Sequence, residues 1–80
     1  MLNIEDLVTE VLTEHLEDEG QEGVKVTLPM HLVRDLGLGS LTLAAVVARL
    51  EFECDLEPFA NGHTPDEVNT VADLVRIFSA

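Results

Sequence analysis

The 80-residue chain has no tryptophan and no tyrosine, and only three phenylalanines, so its core must be built from aliphatic side chains. It has one cysteine, Cys54, which excludes an intramolecular disulfide and any zinc site built on two thiolates. It has four basic residues against sixteen acidic ones, a net charge of −12. Four cations cannot neutralise a run of phosphates, so nucleic acid is excluded as a partner. No apolar run approaches the roughly 20 residues that span a bilayer, so no membrane role is expected. The first residues, MLNIEDLVTE, lack the basic and apolar regions of a secretory leader, and a cytoplasmic location is expected.

What the chain does have is patterned hydrophobicity: 46% of its residues are hydrophobic. Disorder is therefore not expected. At this length it is one domain, residues 1–80, and a domain of this size buries only about 60% of the surface its unfolded chain exposes. A surface so acidic keeps the chain soluble as a monomer and favours partners with basic surfaces.

Ile4, Leu7, Val8, Val11, Leu12 and Leu16 recur at steps of three and four, which predicts a helix from Asn3 to about Asp18. Asn3 is its expected N-cap, and Gly20 and Gly23 end it. Seven carboxylates, Glu5 to Glu19, crowd the other side, the pattern of a solvated face. The following stretch, VKVTLPMHLVRDLGLG, is long for a loop, with Val24, Val26, Leu28 and Leu32 available to pack it down. VKVTL has strand character but no second strand to pair with, and it reads as loop.

Ser40 to about Asp55 predicts a second helix. At 100° per residue, Leu43, Val46, Val47, Leu50 and Cys54 share a core face. On the opposite side Leu41, Ala45, Ala48 and Phe52 form a second apolar stripe, one more than a small bundle needs. A turn-rich connection holds one helical turn starting at Pro65, and a last helix runs from Thr70 to about Phe78 with a Thr70–Asp73 capping box. The fold class is all-α: a small four-helix bundle, three main helices plus a short third one, with a long first loop.

Few constellations for chemistry survive inspection. His15, His31 and His63 lack metal-ligand spacing, and a calcium loop centred on Gly62 fails because Phe59 and Val68 would occupy ligand positions. Cys54 reads as a small core side chain. A bundle this small is expected to have little room for a concave site of several hundred cubic ångströms. Ser40 follows a glycine-broken loop and opens an apolar helix. GLGS lacks the lysine of a phosphate-cradling loop, and GLGSLT lacks the second glycine of a nucleophile elbow. Nothing near it in sequence can act as a base, so local pattern alone makes Ser40 a helix cap.

The stretch DLGLGSL, Asp35 to Leu41, resembles the Asp-Leu-Gly-x-Asp-Ser-Leu signature of acyl and peptidyl carrier proteins. The resemblance extends over nearly the whole chain: an amphipathic first helix, a long loop, Leu32 eight positions before the serine, a helix beginning at the serine, and a Thr-Val-started last helix. It implies that Ser40 is the attachment point of a 4′-phosphopantetheine group taken from coenzyme A by a phosphopantetheinyl transferase. Asp35, Gly39 and Leu41 flank that point. The serine then needs no internal base, because another enzyme does the chemistry. The group's thiol carries acyl or aminoacyl cargo as a thioester between loading ligases, synthases and transferases, and the chain itself is no enzyme.

Two departures from the pattern matter. Gly39 stands where fatty-acid carriers usually have aspartate. The second helix presents Leu41, Ala45, Ala48, Arg49 and Phe52 where those carriers are acidic. Both point to a specialised polyketide or nonribosomal peptide pathway over fatty-acid synthesis, and to docking by apolar burial through Leu36, Leu41, Ala45, Ala48, Arg49 and Phe52. The competing expectation is an acidic helical interaction module in which Ser40 is only a cap.

Overall fold

The structure, a computed structural model, describes residues 3–79. Within them the chain is all-α: α1 (Ile4–Asp18), α2 (Ser40–Cys54) and α3 (Val71–Ile77), with single 3-10 turns at Pro58–Ala60 and Pro65–Glu67 between α2 and α3. The second of these turns starts at the proline expected to start one. The first was not anticipated.

α1 at both ends and α3 at its start are bounded where local chemistry satisfies their orphan backbone groups. Asn3 Oδ1 accepts from the Asp6 amide at 2.8 Å and caps α1. At the other end Gly20, at φ +86°, lets the chain reverse. The Gly20 amide then donates to Glu17 O and the Gln21 amide to Leu16 O, a Schellman closure. α3 carries the expected capping box, with the Thr70 hydroxyl accepting from the Asp73 amide and the Asp73 carboxylate from the Thr70 amide. Those bonds to the carboxylate hold the Asp73 pKa below its ordinary value, backbone donation from Thr70 being the largest cause.

α1 is the helix against which both α2 and α3 pack. Val8, Val11, Leu12 and Leu16 meet Val46 and Leu50 of α2 and Val71, Leu74, Ile77 and Phe78 at the end of the chain, all buried. Leu43, Val47 and Cys54, expected on the core face of α2, are half-buried against this cluster. Burial also pushes the Cys54 thiol pKa up, as befits an apolar packing element.

The long first loop has no strand, as expected, yet it is tied down by backbone. The Leu32 amide donates to Asn69 O (2.9 Å), the Val71 amide to Met30 O (3.0 Å) and the Ala72 amide to Leu28 O (2.9 Å), around one isolated antiparallel bridge between His31 and Thr70. Val26 and Leu32 pack beneath it, whereas Leu28 stays partly in solvent and contributes its carbonyl instead. Polar groups complete the α1–α2 contact. Arg49 is paired with Glu14 and, at 3.7 Å, with Glu53, and the Thr42 hydroxyl donates to Glu19. The crowded acidic side of α1 is therefore partly a structural seam. Arg49 in turn lowers the pKa of Glu14, chiefly by hydrogen bonding.

Leu50 and Phe52 share one helix with opposite environments, fully buried and 83% exposed. Leu50→Ala is expected to cost about 2–5 kcal/mol by leaving a cavity, and Phe52→Ala to stay within about 0.5 kcal/mol, as read from urea denaturation midpoints.

Candidate functional site

The segment leading to Ser40 is a tight turn over residues 31–38, built around one histidine and one aspartate. His31 Nδ1 accepts from the Val33 amide (3.3 Å) and the Arg34 amide (3.1 Å), so the ring caps the turn as an N-cap side chain would. Acting as acceptor, Nδ1 carries no proton, which places the ring hydrogen on Nε2. Asp35 reaches back to accept from the His31 amide at 2.7 Å, and Arg34 lies 3.6 Å from the same carboxylate. The backbone donor first and Arg34 second lower the Asp35 pKa. Gly37 closes the turn at φ +69°, a conformation that favours glycine. Leu36 and Leu38 drop into the core between them.

Two expectations change here. Leu36, expected on the docking surface, is 2% exposed and belongs to the core. The turn points alternate residues inward, and sequence position alone cannot reveal that direction. Ser40 is also not the cap of α2. Gly39 occupies that position, in extended geometry (φ −76°, ψ 166°), and Ser40 is the first helical residue. With no side chain at Gly39, the first amides of α2 receive no side-chain cap.

The glycine is not required by backbone strain or by space. Its φ is ordinary, and a Cβ built there meets nothing within 4 Å. A Cβ can therefore be added at this position without a clash or a strained backbone.

Ser40 is exposed, and it forms one end of an open groove of about 440 Å³. α2 supplies Ser40, Leu43, Ala44, Val47, Ala48 and Glu51, while Phe59, Pro65 and Val68 supply the opposite wall. A concave site of this size was not expected in so small a domain. It exists because residues 58–67 form only two 3-10 turns, so no full helix covers this side of α2. The wall is fixed by Glu67, which accepts from the Thr64 amide at 2.7 Å and lies near His63 Nδ1 (3.1 Å) and Arg76 (3.5 Å). Beside the groove, Leu41 is 85% exposed, and Ala45, Ala48 and Phe52 are exposed with it. Arg49 is half-buried and held by its two carboxylates, which removes it from that stripe.

The sequence reading thus placed Ser40, Gly39 and Leu41 together at the start of α2, where the structure has them. Asp35 sits in the preceding turn, holding it. The opposite wall and Glu51 were missed. The signal for Glu51 was present in the sequence, because Ser40, Ala44, Val47 and Glu51 fall on one line at 100° per residue.

No metal-holding cluster of His, Cys, Asp or Glu occurs among the described residues, and no helix there is long and apolar enough to cross a membrane. No family model matches the chain.

Two outcomes are expected. Gly39→Asp supplies the missing cap and raises Tm by about 2 °C, since glycine is only a few tenths of a kcal/mol worse than aspartate at that position. The pKa of Glu67 falls from its ordinary 4.5 to about 2, first because the Thr64 amide donates to it and next because of His63. A depressed carboxylate contributes stability that is present above 4.5 and is lost as pH falls toward about 2. In urea titrations across that interval, Glu67→Gln is expected to lose less stability than the wild type.

Proposed function

We propose that this chain is a carrier protein on which Ser40 receives a 4′-phosphopantetheine group. The observation that supports this best is the setting of Ser40: an exposed hydroxyl on the first residue of a rigid helix, with an uncapped N-terminus and a ready-made apolar groove at its foot. In the transfer, Ser40 Oγ bonds to the phosphorus of coenzyme A that bears the pantetheine. The pyrophosphate P–O bond breaks, adenosine 3′,5′-bisphosphate leaves, and the hydroxyl proton passes to a base of the transferase. The chain's part is to hold the oxygen still and accessible. The resulting phosphodiester anion lies at the positive end of the α2 dipole, near amides no side chain competes for. When attached, the group supplies a terminal thiol that holds acyl or aminoacyl cargo.

On this reading the 58–67 connection is the reduced third helix of a four-helix carrier arrangement, and the chain works in the cytoplasm, where coenzyme A is available. Leu41, Ala45, Ala48 and Phe52 form the surface that transferase and loading enzymes cover, and burial of this stripe takes the place of the charge-reading usual in fatty-acid synthesis. A specialised polyketide or nonribosomal peptide pathway follows from that preference. The exposed stripe also suits a plain interaction module, the second reading, in which Ser40 has no role.

Incubation with coenzyme A and a promiscuous transferase is expected to add the mass of one phosphopantetheine group, and Ser40→Ala to abolish the gain. An unchanged mass rejects the carrier reading in favour of the interaction module. Phe52→Ala is expected to reduce kcat/KM for loading by the cognate enzyme about tenfold, the effect of losing one well-buried contact. Unchanged loading by a folded Phe52→Ala protein removes the stripe from the docking surface.

A further inference from the structure

Ser40 and Glu51 are eleven residues apart on α2. At 100° and 1.5 Å per residue they lie about 20° apart around the helix and about 16 Å apart along it. Both line the groove, with Ala44 and Val47 between them. Glu51 is the only charged side chain in the groove wall, at the end remote from Ser40. Among the described residues it forms no ion pair: Arg34, Arg49 and Arg76 are taken by Asp35, by Glu14 and Glu53, and by Glu67 and Asp73, and Lys25, the remaining basic side chain, lines neither cavity at Glu51 and pairs with no carboxylate. A second cavity adjoins at Glu51 and adds Asp55 and Glu57, and no basic side chain lines either one.

The distance has a chemical meaning if Ser40 carries the group proposed above. From Ser40 Oγ to the terminal sulfur is about fourteen bonds, close to five residue equivalents of extended chain, or about 16 Å. Glu51 therefore stands where the end of such a chain, laid along the groove, presents its cargo. A carboxylate half-buried beside apolar surface, with no internal cation, favours an incoming cation and repels an anion. An α-ammonium sits two bonds beyond the thioester carbonyl, within reach of Glu51. The carboxylate of a malonyl-type cargo would enter the same field with the wrong sign.

Resting on the carrier reading, we infer that Glu51 selects for aminoacyl cargo, pairing with its ammonium, over dicarboxylic and simple acyl groups. Coenzyme A analogues with stable amide-linked alanyl, propionyl and malonyl groups, transferred onto Ser40, give three proteins that differ in terminal charge. In amide NMR spectra the alanyl form is expected to shift Glu51, Ala48 and Phe59, whereas the propionyl and malonyl forms do not. The alanyl amine, followed with a ¹⁵N label, is expected to titrate a few tenths of a pH unit higher in the wild type than in Glu51→Gln, the size of a partly exposed ion pair, with the difference fading in high salt. Identical titration in the two proteins, after loading has been verified by mass, overturns the role of Glu51 and leaves the carrier reading standing. Failure of all three analogues to add mass overturns the carrier reading and this inference with it.

Discussion

Three backbone hydrogen bonds between residues 28–32 and 69–72 hold together the end of the molecule that carries Ser40. The long first loop has few local interactions, and ordering it costs about 1–2 kcal/mol of backbone entropy per residue. The seam joins it to the start of α3, whose own cap is firmly made by Thr70 and Asp73. Leu32, fully buried directly beneath, locks the register. From that anchor the His31–Asp35 turn projects forward, drops Leu36 and Leu38 into the core, and delivers the chain to Gly39 with α2 already aimed. Released from the seam, the turn would still have its internal bonds but no fixed place on the bundle. Ser40 owes its position to contacts made by residues 69–72, about thirty positions further along the chain.

α2 divides its circumference among four tasks, and that division explains its unusual composition. Val46 and Leu50 face the core, and Thr42 and Arg49 face α1 through Glu19 and Glu14. Ser40, Ala44, Val47 and Glu51 face the groove, while Leu41, Ala45 and Phe52 face solvent. The alanines matter as much as the larger side chains, because a bulky residue at position 44 or 48 would fill the groove. Ala48 lies where groove and stripe meet, so a partner covering the stripe also approaches the groove.

Much of this was legible in the sequence because the underlying interactions are local. The period of α1, the caps at Asn3 and Thr70, and the double apolar character of α2 depend on neighbours within one or two turns. The cap of α2 was read one residue late, at Ser40, because serine is usually the better cap and the pattern holds no signal that glycine takes the position. The burial of Leu36, the backbone seam and the wall formed by Phe59, Pro65 and Val68 were not legible. Each arises from segments that meet only once the chain has folded, and none has a periodicity of its own. The space beside α2 has the same origin, since it is the missing packing of a helix that residues 58–67 do not form.

The stripe on α2 leaves Leu41 and Phe52 largely in water on a molecule of net charge −12. Two copies bringing these side chains together must also bring together their negative fields, which opposes self-association in dilute buffer. That opposition is only as long-ranged as the ionic atmosphere allows, about 10 Å at 0.1 M salt and about 3 Å at 1 M. Concentrated salt therefore removes the barrier while strengthening the attraction between the exposed rings and leucines. Whether two copies of the protein meet through this stripe is thus set by the medium as much as by the shape of the molecule.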